Sequence, residues 1–180
     1  LPTSGSISPP GRQGGQDALE SPAMADQDRA LTVDDSRVVT TEIVMPQNAN
    51  NLGTVFGGHV LALIDKTSAI VAMRHCHAPV VTVAIDRVDF LAGARLGSVL
   101  ILEGILNAAF RTSIEIGVTV LAENPLSGER HLTCRAFVTF VAVDEEGRPA
   151  PVPPLEARTD EERRRADEAA ERRRHRMSGR

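Results

Sequence analysis

The sequence predicts an α+β fold in which a mainly antiparallel sheet wraps around one long central helix. Three features of the chain predict it. One apolar stretch of helix length, from Val60 to Met73, is interrupted by the charged residues Asp65 and Lys66. Four long stretches rich in β-branched and aliphatic residues follow, joined by short segments that contain glycine. Because no helix long enough for a crossover lies between these stretches, their strands are expected to run antiparallel.

The first part of the chain is expected to be a disordered leader, followed by a strand. Residues 1–32 are rich in Gly, Ser, Pro and Gln, lack periodicity, and resemble neither a signal peptide nor a transit peptide. Met24 is a candidate for the natural start because the chain opens with Leu1. Residues 37–45 alternate in the manner of a strand, which Pro46 ends.

The central helix is expected to run from the glycine pair Gly57-Gly58 to about His75. Because apolar residues cover most of its circumference, the sheet should wrap around the helix rather than leave it lying on a surface. The strands that follow are expected at residues 80–90, 98–109, 113–122 and 131–143, and the third alternates most clearly. Residues 91–97 and 124–128 are predicted to be short connections between antiparallel neighbours.

A domain of residues 33–146 is expected to be followed, in residues 147–180, by a proline-stiffened crossing and a charged helix. Thr159 and the three acidic residues after it predict a capped helix start, and basic residues from Arg172 to Arg176 suit its C-terminal end. A solvated helix with Glu–Arg pairs is the preferred interpretation over nucleic-acid binding. The net charge of −4 and the absence of Trp and Tyr also argue against a nucleic-acid partner.

The stretch from Asn50 to Asp65 places a glycine-rich turn directly before the central helix. Glycine lets a ligand approach the backbone, and the free amides of a helix's first turn favour an oxygen that carries negative charge. Asp65 lies two turns into the helix among mostly small or apolar neighbours, so its carboxylate should be strained, paired or functional. A helix rises roughly 10 to 12 Å over the eight residues from Gly57 to Asp65, too far for direct contact within one chain.

Motifs around this turn carry a more specific signal. The run MPQNANNLGTVFGG at residues 45–58, followed by Asp65, resembles the hotdog-fold acyl-CoA thioesterases of the YciA and brain acyl-CoA hydrolase type. Phe110 departs from the family pattern, because many relatives carry glycine at the position before the Arg-Thr-Ser run. The other landmarks match in order over roughly residues 37–175: Arg74-His75, Val80-Val81-Thr82, Asp86, Phe90, Arg111-Thr112-Ser113, Ala122-Glu123-Asn124, residues 139–144 and residues 152–155.

The resemblance implies an enzyme that hydrolyses acyl-CoA to free acid and coenzyme A with no metal and no separate cofactor. Asp65 is expected to activate water or to attack the carbonyl itself, and both routes stay open. Asn50 would orient the water or bond the carbonyl, and the backbone amide of Gly58 would clamp the carbonyl oxygen. The residues expected to bind coenzyme A are Gly57, His59, Val81, Thr82, Arg111, Thr112 and Ser113, in which a guanidinium and hydroxyls suit phosphate oxygens.

The resemblance also implies an assembly, because in this family such an Asn and Asp come from opposite protomers. A homodimer joined edge to edge, and a trimer of such dimers, are therefore expected. A cytoplasmic location is expected, because the two cysteines have neither CxxC spacing nor a secretory context. No transmembrane segment is predicted, and the membrane is not a predicted partner.

Other residues give weaker indications. Cys76 and Cys134 are interpreted as reduced thiols. The His75 and His77 side chains flank Cys76 without zinc spacing, so they are interpreted as loop residues. For His59, a polar residue opening the helix is preferred over a ligand contact.

Two further functions stay open at this point. One is a hotdog protein that binds acyl-CoA without turning it over. The other is a dehydratase on the same fold, which usually wants a histidine beside its carboxylate. The presence of both Asn50 and Asp65 favours the hydrolase.

Overall fold

The computed structural model describes residues 30–179, in which a five-stranded antiparallel sheet carries a helix on each face. The predicted leader lies largely outside the described residues, as does Met24, and its last two residues, Leu31 and Thr32, form a strand. The elements are β1 (Leu31–Thr32), α1 (Val33–Ser36), β2 (Val38–Ile43), α2 (Gly57–Cys76), β3 (Val80–Phe90), β4 (Val99–Ala109), β5 (Ser113–Glu123), β6 (Arg130–Ala142), β7 (Leu155–Glu156) and α3 (Asp160–Ser178). The predicted α+β class, central helix and four long strands are confirmed.

The strand order of the sheet is β2-β4-β5-β6-β3, so β2 and β3 form its two edges. The prediction that residues 91–97 join neighbouring strands is wrong, because β3 pairs with β6 and lies at the opposite side of the sheet from β4. The connection instead crosses the end of the sheet, held by hydrogen bonds from Leu91 N to Thr133 O (2.8 Å) and from Val55 N to Ala94 O (2.8 Å). Residues 124–129 do join neighbours, β5 and β6.

Helix α2 packs on the inner face of the sheet and contacts all five strands. Alternate residues of β5 face the helix, and Ile114, Ile116, Val118 and Val120 are buried as the alternation predicts. Gly104 allows the closest approach, because a Cβ there would lie 2.9 Å from a methyl group of Val71. The sheet covers only one side of α2, however. Ala62, Lys66 and Met73 on the far side are exposed in the single chain.

Helix α3 packs on the outer face of the same sheet. Its start is capped as predicted: the Thr159 hydroxyl accepts from Glu162 N (3.2 Å), and the Glu162 carboxylate accepts from Thr159 N (3.1 Å). Glu–Arg pairs follow one side of the helix, for example Glu161 with Arg164 and Arg165.

The expectation of a solvated helix is wrong for the side of α3 that faces the sheet. Arg172 donates to the fully buried Glu115 carboxylate (Nη2 to Oε1 2.7 Å), and its guanidinium lies 3.8 Å from the centre of the Phe137 ring. The departure at Phe110 has a structural role as well, because Arg173 lies over its ring at 4.5 Å. The residue that could have predicted this contact is Glu115, an acidic residue at an outward-facing position of strand β5.

The crossing between β6 and α3 passes the end of α2, where His75 is fully buried and lies 2.9 Å (Nε2) from the carbonyl of Pro153. The loop interpretation is wrong for His75, which belongs to the last turn of α2, while His77 ends the helix in the left-handed conformation (φ 48°). Of the helices in residues 30–179, none is long and apolar enough to cross a membrane.

Candidate active site

The first turn of α2 presents two free backbone amides. Phe56 precedes the helix and donates its own N–H to Asn48 O (2.7 Å) without capping the helix through a side chain. Within residues 30–179, no acceptor is bonded to the amides of Gly57 or Gly58. A Cβ at Gly58 would lie 2.7 Å from the Phe56 ring, so the glycine lets that ring lie over the turn. The turn can therefore bind an oxyanion through its amides and the helix dipole.

Asp65 lies in the middle of α2 and faces strand β3. Its Oδ1 accepts a hydrogen bond of 2.8 Å from the hydroxyl of Thr82, and its side chain is half-buried. The bond fixes the direction of the carboxylate and leaves Oδ2 without a hydrogen-bond partner among the described residues. The family resemblance implies that Thr82 contacts coenzyme A, and the bond from Thr82 to Asp65 was not predicted. A helix and a strand are connected here through a loop, so no local pattern indicates the contact.

Asn50 organises the turn before the helix. Its Oδ1 accepts from the backbone N–H of Leu52 (2.9 Å) and of Thr54 (3.2 Å), and its Nδ2 donates to the Thr54 hydroxyl (3.0 Å). Asn residues commonly form such turns. One amide proton of Asn50 remains to reach a ligand, since Nδ2 carries two.

The His59 ring bridges two elements next to this turn. Its Nδ1 accepts from Asn48 Nδ2 (3.3 Å), because that amide nitrogen can only donate, and its Nε2 donates to Glu42 Oε1 (3.1 Å). Both ring nitrogens are thus occupied within the chain. This arrangement favours the helix-opening role of His59 over a ligand contact.

The structure divides the predicted coenzyme A residues into two groups: Gly57 and His59 lie in the first turn of α2, and the other five lie together at one end of the sheet, namely Val81, Thr82, Arg111, Thr112 and Ser113. The β4–β5 turn is held by bonds from Val152 N to Arg111 O (3.2 Å) and from Ala142 N to Thr112 O (3.1 Å). Ser113 and Val81 share one row across β5, β6 and β3, roughly 10 Å apart on the outer face. Thr82 points to the inner face, so Val81 and Thr82 do not line the same surface.

The Arg111 side chain is exposed and takes part in no ion pair among the described residues. Its guanidinium therefore has all of its donors available for a phosphate.

The cysteines and His75, which could act as nucleophiles or metal ligands, are buried in the fold. Burial raises the pKa of both Cys76 and Cys134 to about 11, so each thiol is protonated at neutral pH, as expected of reduced structural cysteines. Burial also lowers the pKa of His75, which keeps its ring neutral. Residues 30–179 contain no cluster of three or more His, Cys, Asp or Glu that could hold a metal.

Comparison with protein families finds a match to the thioesterase superfamily over residues 52–129, which include Gly57, Gly58, Asp65, Thr82 and Arg111. The uncharacterized acyl-CoA thioester hydrolase YkhA of Bacillus subtilis is 38% identical over 148 residues, which are 78% of this chain and 86% of that protein. The chain spans only 36% of the length of the cytosolic acyl coenzyme A thioester hydrolase of Rattus norvegicus, at 34% identity over 139 residues.

Solved structures agree with this match. An apo-hexameric acyl-CoA thioesterase is 46% identical, with a TM-score of 0.80 over 83% of this chain and 96% of that one. An acyl-CoA hydrolase from Staphylococcus aureus, solved with butyryl coenzyme A, coenzyme A and coenzyme A disulfide, is 33% identical, with a TM-score of 0.78 over 83% and 92% of the two chains.

Alanine variants of the Staphylococcus aureus hydrolase have also been solved, each changing a single asparagine, aspartate or threonine. The asparagine and the aspartate are 15 residues apart, and the aspartate and the threonine 17. The same two separations relate Asn50, Asp65 and Thr82.

Proposed function

The chain belongs to the thioesterase superfamily and has the hotdog fold, and on that premise we propose that it is an acyl-CoA thioester hydrolase whose active site is shared between two copies of the chain. The Asp65 carboxylate held by Thr82 carries this proposal. The identical separations of three substituted residues in the Staphylococcus aureus hydrolase support the same set of side chains.

Strand β3 is the edge at which two copies would meet. It is eleven residues long, its outer edge pairs with no strand among residues 30–179, and Val81, Val83 and Ile85 are exposed although apolar. An edge strand of this kind pairs readily with another chain. The uncovered side of α2 adds to the apolar surface that a second copy would bury. We assign the homodimer interface to this edge, and the hexameric state of a relative supports a trimer of such dimers.

Antiparallel pairing of two β3 strands would complete the site. With full overlap, Thr82 of one copy lies opposite about residue 88 of the other, close to Phe90. The Phe90 ring is in turn 3.5 Å from the position of a Cβ at Gly57. The Asp65–Thr82 pair of one copy would thereby approach the Gly57-Gly58 amides of the other copy. Within one chain, by contrast, Asp65 and these amides are too far apart for direct contact.

This arrangement supports hydrolysis by familiar steps. In the general-base route, Asp65 takes a proton from water, and the water oxygen forms a bond to the thioester carbonyl carbon. The carbonyl oxygen becomes an oxyanion held by the Gly57 and Gly58 amides. The C–S bond then breaks, and the coenzyme A thiolate leaves and takes up a proton. In the nucleophilic route, an Asp65 oxygen adds to the carbon instead, the C–S bond breaks and the coenzyme A thiolate leaves, and water then hydrolyses the resulting anhydride to free acid and the Asp65 carboxylate.

The remaining residues would hold the substrate. Arg111, with Thr112 and Ser113, would bind coenzyme A phosphates at the same end of the sheet as Thr82. Asn50 would direct its second amide proton to the water or the carbonyl.

Release of free thiol from a panel of acyl-CoA esters tests the proposed activity. The wild type should release thiol, and Asp65→Asn should lower kcat by about 10²- to 10⁴-fold. Asp167→Asn, an exposed carboxylate on α3, is the matched control and should keep full activity. Tight acyl-CoA binding without thiol release by the wild type would instead identify a non-catalytic binding protein.

A further inference from the structure

A cavity of about 400 Å³ opens beside the glycine turn, between the start of α2 and the segment that follows β3. Its wall includes Val55 and Val60, which are buried, and Phe90 and Leu91, which are partly exposed. The wall contains no charged side chain, and Thr133 contributes its only polar one. Such a cavity suits an apolar group, and its volume lies near the lower end of the range of small-molecule sites, about 300 to 1,000 Å³.

The position of the cavity relates it to the reacting carbonyl. Gly57 belongs to the cavity wall and also supplies one of the free amides of the helix start. A thioester whose carbonyl oxygen meets these amides therefore has its acyl chain at the mouth of the cavity. The coenzyme A portion would extend the other way, towards Arg111 of the copy that supplies Asp65.

Phe90 forms the wall that a growing acyl chain would meet. Its ring lies 3.5 Å from the Cβ position of Gly57 and lines the cavity, while half of the residue (52%) remains exposed. As the last residue of β3, it is fixed by antiparallel pairing with Cys134 of β6. The ring therefore limits the space available without belonging to the packed core.

We propose that this cavity binds the acyl chain and that Phe90 sets the longest straight chain the enzyme accepts, which makes short to medium acyl-CoA esters its substrates. The inference rests on the proposed hydrolase function. Burial of each methylene group is worth about 0.8 kcal/mol, or about four-fold in kcat/KM. For the wild type, kcat/KM should rise with chain length by about this factor and then stop rising where the chain meets Phe90.

Substitutions in both directions test this. Phe90→Ala removes six ring carbons, so the break should move to longer chains, and kcat/KM for a substrate two methylenes beyond the wild-type break should rise about 15-fold. Phe90→Trp should move the break to shorter chains. The measurement is kcat/KM for straight-chain acyl-CoA esters from two to twelve carbons. Leu126→Ala, an exposed apolar residue in the β5–β6 turn, is the control and should leave the profile unchanged.

The outcomes separate this inference from the proposed function. Wild-type protein that hydrolyses none of the esters would contradict the function itself. An active wild type with the same break in both Phe90 variants would overturn the cavity assignment alone. Circular dichroism checks that the variants fold, and if Phe90→Ala fails to fold, Phe90→Leu makes the same test with a smaller expected shift.

Discussion

Removal of the Thr82 hydroxyl should slow the reaction while the fold is kept. Thr82→Val retains the β-branched shape suited to a strand and deletes only the donor to Asp65 Oδ1, at 2.8 Å. A hydrogen bond to a charged group contributes about 1.5 to 3 kcal/mol, which corresponds to a factor of about 10 to 150 in rate. Thr82 is exposed and Asp65 half-buried in the single chain, which sets the expected loss at the lower end, about 10-fold.

Steady-state kinetics with one acyl-CoA ester provides the measurement. The loss should appear in kcat with little change in KM, because Thr82 orients the reacting carboxylate and does not hold the phosphates. Thr82→Ser keeps the hydroxyl and should retain most of the activity. Equal activity of the Val and Ser variants, or a change in KM alone, would refute the positioning role of Thr82.

Three other perturbations have defined outcomes. Arg111→Ala should raise KM for acyl-CoA more than it lowers kcat, and an unchanged KM would place the phosphate site elsewhere. Arg172→Leu should lower the free energy of unfolding by about 3 to 5 kcal/mol in urea titration, because it leaves the buried Glu115 carboxylate without its ion pair, and addition of Glu115→Leu should recover part of the loss. Burial lowers the pKa of His75 in the folded state, so the unfolded chain binds more protons as the pH falls. The contribution of His75 to the free energy of unfolding is therefore complete above about pH 6.5 and should fall as the pH drops below that value. His75→Gln should make the free energy of unfolding in urea less dependent on pH between 7 and 5, and an unchanged dependence would contradict this.

Local patterns were sufficient to predict the long helices and strands of this fold, but not the short elements β1, α1 and β7. The β-branched and aliphatic residues from Val80 to Phe90 predicted strand β3 at its observed bounds, and the Thr159–Glu162 capping box marked the start of α3. Contacts between distant segments were not predictable in this way. The pairing of β3 with β6, and the buried pair of Glu115 and Arg172, depend on how the sheet curls and on which face α3 covers.

The candidate site likewise combines features that the sequence predicts with contacts that it does not. The glycine turn and Asp65 could be identified from sequence, because a turn before a helix and an acidic residue within an apolar one are local features. The Thr82–Asp65 bond joins residues 17 positions apart on different elements, and the contact of the Phe90 ring with the glycine turn joins residues 33 apart. Neither contact has a signature in a single sequence.

Mixing two inactive variants tests the shared site most directly. Asp65→Asn and Asn50→Ala subunits are each expected to be inactive as homodimers, since every site lacks one group. If a site takes Asp65 from one copy and Asn50 from the other, half of the sites in a heterodimer regain both groups. The two variants carry different affinity tags and are unfolded and refolded together. Heterodimers are then purified by means of both tags and assayed for thiol release. Recovery of up to about half of the wild-type rate per dimer is predicted, whereas heterodimers that form and remain inactive would contradict a site shared between two copies.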